Sequence, residues 1–122
     1  MHKIKGEIME DCLFCKIARG EIPSTKLYDD ETVCAFRDID PQAPTHVLVI
    51  PKKHISSVLG ITEEDRELLL HIFEVINLVA KQENIDKNGF RVVSNIGKDG
   101  QQSVPHLHFH VVGGRSMQWP PG

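Results

Sequence analysis

The sequence predicts an α+β fold, a five-stranded antiparallel sheet with two helices. Three observations predict it. Segments with helical and strand periods follow one another as short helix, three strands, long helix, two strands. Only one stretch, beginning near Thr62, carries a long helical stripe. The length, 122 residues, suits one domain, which at this size buries roughly two-thirds of the surface its unfolded chain exposes. Residues 1–10 read as a charged lead-in, 11–122 as the domain, and 113–122 as its tail.

The elements follow in order. "DCLFCKIARGEIP" (11–23) predicts a short helix closed by Gly20, with Pro23 beyond it. "TKLYDDETVCAFRDI" (25–39) predicts two strands around a tight turn at Asp29-Asp30-Glu31, and "DPQAP" (40–44) a loop. "THVLVIPK" (45–52) is a β-branched strand stopped by Pro51. Thr62 caps the long helix, and Glu63, Glu64 and Asp65 place negative charge in its first turn. Leu69, Ile72, Phe73, Ile76 and Ala80 mark one face, and Leu68, Val75 and Val79 a second beside it. So wide a stripe predicts burial on two sides, by a thick core or by a subunit contact. Asn88-Gly89 turns the chain into "FRVVSN" (90–95), a strand; "IGKDGQQS" (96–103) is a polar loop. Pro105 can begin a strand but not sit within one, so "HLHFHVV" (106–112) is the last strand.

Composition narrows the function. The net charge is −3 and no Lys/Arg cluster occurs, which argues against a nucleic-acid partner. No apolar run approaches the roughly 20 residues of a membrane span. The N-terminal "MHKIKGEIMEDC" has no apolar signal core, and three cysteines is an odd number, so reduced thiols in the cytoplasm are expected. Cys12 and Cys15 form a C-x-x-C pair, either a redox couple or half of a metal site. Cys34, mid-strand, reads as core.

Of seven histidines, three stand at alternate positions, 106, 108 and 110. Alternation puts His106, His108 and His110 on one strand face, roughly 7 Å apart, and Leu107, Phe109 and Val111 on the other. A solvated face, a metal site and a catalytic centre are the three readings. Strand propensity does not favour histidine, and alternate residues of one flat strand converge poorly on an ion with bonds near 2.0–2.1 Å. Catalysis is the reading that remains, because imidazole serves as nucleophile, base or acid near pH 7. His46 shares a face with Leu48 and Ile50 and could back the row from a neighbouring strand. His2 and His71 have no evident role.

"HLHFHVV" fits the pattern His-Φ-His-Φ-His-Φ-Φ, with Φ apolar. With "FRDIDPQAPTHVLVIPKKHISS", "GQQSVPHLHFHVVGGR" and "MQWPPG", it makes the chain resemble the histidine-triad family from Leu13 to Gly122. Within it the chain resembles the Hint branch of purine nucleoside phosphoramidases, bacterial zinc-containing type. The resemblance implies that His108 is the nucleophile, attacking the α-phosphorus of a nucleoside phosphoramidate to form a covalent nucleotidyl-histidine. It implies phosphate contacts from Asn95, Ser103, His108 and His110, with Gln102 similarly placed and His46 orienting the histidines. Asp38 would accept from the ribose hydroxyls. Leu13, Phe14, Ile17, Phe36, Ile39 and Leu48 would wall the base. Cys12, Cys15, His54 and His106 would hold a structural zinc, a tetrahedral two-thiolate, two-imidazole set; no catalytic cofactor is implied.

Two copies would join into a ten-stranded sheet, and Trp119, too large for its short tail to bury, would rest near the partner's site. Pro105 departs from the bulky residue often found before the triad. Rival readings are a dinucleoside polyphosphate hydrolase or nucleotidyl transferase of the same family, a nucleotide-binding adaptor, and a thiol oxidoreductase on Cys12-x-x-Cys15. The last lacks the βαβ context such a motif needs.

Overall fold

A computed structural model describes residues 11–122; the lead-in at 1–10 lies outside the described residues. The elements are α1 (Leu13–Ala18), β1 (Lys26–Asp29), β2 (Val33–Arg37), β3 (Thr45–Pro51), α2 (Arg66–Gln82), β4 (Phe90–Val93) and β5 (Phe109–Gly113). The strands form one antiparallel sheet in the order β1-β2-β3-β5-β4. This is the predicted five-stranded sheet with two helices.

Alternation sorts side chains between two cores. Val33 and Ala35 of β2, Val47 and Val49 of β3, and Leu107, Phe109 and Val111 face α2 and join Ile72, Val75, Ile76 and Val79. Cys34, Phe36, Leu48 and Ile50 face the other way and join Phe14, Cys15, Ile17 and Ala18 around α1. β3 lies between β2 and β5 with both faces covered, so all seven of its residues are buried. Burying that strand means burying His46 with it.

The caps behave as their residues dictate. Gly20, at φ +79°, closes α1, and the Glu21 N–H reaches back to the Lys16 carbonyl at 2.9 Å. Asp30 organises the β1–β2 turn, accepting from the Thr32 and Val33 amides at 2.8 and 2.9 Å. After Thr62 a single 3-10 turn, Glu63–Asp65, leads into α2, and Asp65 accepts from the Thr62 amide at 2.9 Å. Asn84, at φ 59°, ends the helix.

The structure corrects two sequence expectations. β5 begins at Phe109, not at His106. Its register with β3 would set Leu107 across from Pro51, which has no N–H for the ladder. Leu107 instead donates its amide to the Ile55 carbonyl at 2.6 Å. β4 likewise ends at Val93 rather than at residue 95. Of the two α2 faces, Ile72, Val75, Ile76, Val79 and Ala80 are buried within one chain, whereas Phe73 is exposed.

Candidate functional site

All three triad histidines lie on the sheet face that carries α1, so the alternation holds although two of them precede the ladder. Phe14 of α1 stands edge-on to His106 and His108, at centroid distances of 6.0 and 5.0 Å. His108 and His110 are 5.1 Å apart.

The backbone fixes the tautomer of each ring. A carbonyl can only accept, so His106 donates Nε2–H to Pro51 O at 2.8 Å, and its Nδ1 carries the lone pair. His108 donates Nδ1–H to the carbonyl of His106 at 2.7 Å, which leaves the lone pair on Nε2. An amide N–H can only donate, so Gln42 N–H at 3.1 Å makes His46 Nδ1 an acceptor and puts the His46 proton on Nε2. That proton goes to His110 Nδ1 at 2.8 Å. The proton of His110 is therefore on Nε2, a buried atom with no partner. Alternate residues of one segment thus present different faces: His106 and His108 a lone pair each, and His110 an N–H.

Burial disfavours the charged form of the three triad rings. It pushes His106 and His110 down to about 4 and lowers His108 as well. Neighbouring histidines add to the effect on His110, and the Asp38 carboxylate opposes it. The Asp38 carboxylate itself takes the Asp40 amide at 2.8 Å and lies 3.4 Å from His46 Nε2. Ser94, at the end of β4, holds the His108 carbonyl at 2.8 Å, a support that nothing in the sequence pattern had marked.

On one side of this row is a donor cluster. His106 Nδ1 lies 3.3 Å from Cys12 Sγ and 3.5 Å from Cys15 Sγ, and His54 Nδ1 lies 3.3 Å from Cys15 Sγ. The four donor atoms are all within 4.8 Å of one another. A tetrahedral ion with bonds of about 2.3 Å to sulfur and 2.05 Å to nitrogen separates S and N by about 3.6 Å, close to these values. The Pro51 carbonyl supplies the outer partner that turns the Nδ1 lone pair of His106 toward the cluster. The chemistry and spacing of these residues fit zinc. Asp38, His46 and His110 also gather three donors, but the protons on His46 and His110 make that group a hydrogen-bonded relay.

On the other side is a pocket of about 390 Å3. Of the expected residues, Leu13, Phe14, Ile17, Phe36, Asp38, Ile39, Leu48, Ser103, His108 and His110 line it. His46 stands behind His110. Asn95, Gln102 and Trp119 do not line it. Gln102 has its side-chain amide on the Ser56 carbonyl at 2.7 Å and accepts the Gly97 amide at 3.1 Å, which pins the loop. Trp119 is 82% exposed. The register of β4 carried two residues past Val93 sets Asn95 across from His108. The pocket adds Ile22, Pro23, Ser24, Arg37 and Val104, which sequence reasoning missed. Proximity to Asp38 could have flagged Arg37, whose guanidinium is bidentate on Glu83 at 2.7 and 3.0 Å.

A family profile described as "Scavenger mRNA decapping enzyme C-term binding" matches residues 11–119. The chain belongs to the histidine-triad family. It is 49% identical over 113 residues to an uncharacterized HIT-like protein of Synechococcus elongatus, covering 93% of this chain and 98% of that one. It is 51% identical over 112 residues to a 14 kDa zinc-binding protein of Zea mays, covering 90% and 87%. A HIT family hydrolase from Legionella pneumophila superposes with a TM-score of 0.90 at 50% identity, covering 92% of this chain and all of that one. Among the described residues no helix is long and apolar enough to cross a membrane.

Proposed function

We propose that this histidine-triad protein is a nucleotide-binding hydrolase that cleaves the P–N bond of purine nucleoside 5′-phosphoramidates of the AMP-lysine or AMP-NH2 type. One observation carries the reading. His108 is a buried neutral imidazole with its lone pair on Nε2, beside an unpartnered Nε2–H of His110, in the wall of one pocket. That pairs a nucleophile with a donor for a phosphoryl oxygen.

His108 Nε2 attacks the α-phosphorus as the P–N bond to the amine breaks. The amine leaves with one proton, which Ser103 or solvent supplies. Water then attacks the nucleotidyl-histidine, its released proton replacing the one given to the amine, and the nucleoside monophosphate and neutral His108 are freed. Both steps exchange one P–N or P–O bond for another, so positioning and charge stabilisation dominate. His110 donates to the phosphoryl oxygen, Asn95, across from His108, completes that end, and Gln102 contributes by pinning the loop that carries Ser103. Asp38 takes the ribose hydroxyls, and Phe14, Ile17, Phe36 and Leu48 take the base.

Cys12, Cys15, His54 and His106 hold one zinc, in keeping with the zinc-binding name of the maize relative. A metal closed by four protein ligands supplies structure rather than chemistry. We also infer a cytoplasmic homodimer. β4 is a sheet edge, α2 packs over β1–β3, and Leu70, Phe73 and Trp119 stay open for a partner.

The test is hydrolysis of adenosine and guanosine phosphoramidates beside dinucleoside polyphosphates, with mass analysis of a quenched reaction. A nucleotidyl adduct on the peptide containing His108 is expected. Polyphosphate cleavage without phosphoramidate cleavage would favour the rival branch; nucleotide binding without turnover or adduct would leave an adaptor.

A further inference from the structure

Two buried side-chain polar atoms lack a hydrogen-bond partner among the described residues: His110 Nε2 and Ser24 Oγ. Both residues line the same pocket. The phosphoryl group answers for His110. Nothing in the mechanism answers for Ser24. A buried hydroxyl without a partner costs free energy, so its persistence in a ligand pocket points to a ligand atom.

The place of Ser24 restricts what that atom is. It follows Ile22 and Pro23 along a wall otherwise made by Phe14, Ile17 and Phe36. The next residue, Thr25, accepts the Arg37 amide at 2.9 Å, so backbone pairing at the head of β1 places Ser24 and leaves its hydroxyl unengaged. The sugar has Asp38, whose carboxylate can take both ribose hydroxyls. A purine entering the apolar walls loses water from its ring nitrogens and exocyclic group, and the guanidinium of Arg37, the other polar group on that side, is already bidentate on Glu83. Building on the nucleotide reading above, we propose that Ser24 is a specificity-determining residue whose hydroxyl hydrogen-bonds the polar edge of the bound purine. A hydroxyl both donates and accepts, so it serves adenine and guanine alike and rejects rings without such an edge.

The test is a ligand-side double-mutant cycle in the full-length, metal-loaded protein, read by calorimetric titration. The ligands are AMP, 2′-deoxy-AMP and indole riboside 5′-monophosphate, which keeps the ring shape without ring nitrogens or exocyclic groups on its edge. Ser24→Ala should weaken AMP and 2′-deoxy-AMP by about 2–10-fold, the range of one neutral hydrogen bond. It should leave the indole nucleotide unchanged. Its melting temperature should not fall, because no internal partner is lost. Equal weakening of AMP and the indole nucleotide would overturn the assignment. So would a loss that vanishes on 2′-deoxy-AMP, which would move Ser24 to the sugar, or a clear drop in melting temperature, which would give the hydroxyl a partner inside the protein. Wild-type protein that bound none of the three would bring down the nucleotide reading itself, and the Ser24 assignment with it.

Discussion

Removing the metal should cost this protein stability before it costs chemistry. Cys12 caps α1 and Cys15 lies within it, His54 follows β3, and His106 precedes β5, so an ion shared by the four ties three segments together. A metal bound only to the folded state stabilises by RT ln(1 + [L]/Kd), about 4 kcal/mol when free metal exceeds Kd a thousandfold. For 122 residues the unfolding entropy is about 0.26 kcal/mol/K, so that loss lowers Tm by about 15 °C. The nucleophile should survive. His108 is oriented by the His106 carbonyl at 2.7 Å, and the His106 ring keeps its own bond to Pro51 O at 2.8 Å whether or not Nδ1 has a ligand. The assay is elemental analysis, calorimetric melting and phosphoramidate turnover at 25 °C, on protein before and after chelation and on the double variant Cys12→Ser, Cys15→Ser. Stripped and variant protein should melt early and still turn over while folded. Absence of metal in reduced protein purified without chelator would refute the site. A fully folded stripped protein with no turnover would refute the division between structural His106 and chemical His108.

His108→Ala should lose at least about a thousandfold in turnover while AMP binding, followed by titration, stays largely intact; retention of a tenth of the wild-type rate would rule it out as nucleophile. Asp38→Asn should weaken adenosine substrates by about 1–3 kcal/mol and 2′-deoxy substrates less, measured as the ratio of kcat/KM values; equal losses would remove Asp38 from the sugar. His46→Phe leaves the Gln42 amide and His110 Nδ1 without their partner, so it should lower stability by about 1–3 kcal/mol in urea and reduce kcat more than it raises KM. The Asp30 carboxylate at 2.6 Å raises the pKa of His71 above its ordinary value, helped by Glu74. The pair's contribution is therefore complete below about pH 6.5 and lost as pH rises through the folded-state value. His71→Gln should cost up to about 1 kcal/mol near pH 5.5 and less near pH 8.5; the reverse order in urea melts would contradict the pairing.

His71 illustrates where sequence reading stopped. Nothing in the pattern of the helix links it to Asp30, 41 residues away. The elements themselves were legible because local signals carried them: Gly20 after α1, Asp30 in its turn, the capping residues of Thr62–Asp65, and the alternation of 106–111. The last also placed three histidines on one side, and the quoted motifs identified the family. The strand limit at His106 was not legible, because the ladder ends where β3 runs into Pro51, a property of the neighbouring strand.

The sequence by itself marked three alternate histidines, a C-x-x-C pair and His46 as candidates for chemistry, and the resemblance to the histidine-triad family added His54 and Asp38. It determined the common face of the three histidines as well, since a period of two needs no tertiary information. Only the tertiary structure decided which nitrogen of each ring bears the proton, because that depends on backbone groups of Pro51, His106 and Gln42 brought up by other segments. It alone placed Ser24 in the pocket wall and the Gln102 amide in its loop. Side-chain periodicity is written along the chain, whereas hydrogen-bond direction is set by whatever donor or acceptor the fold delivers across it.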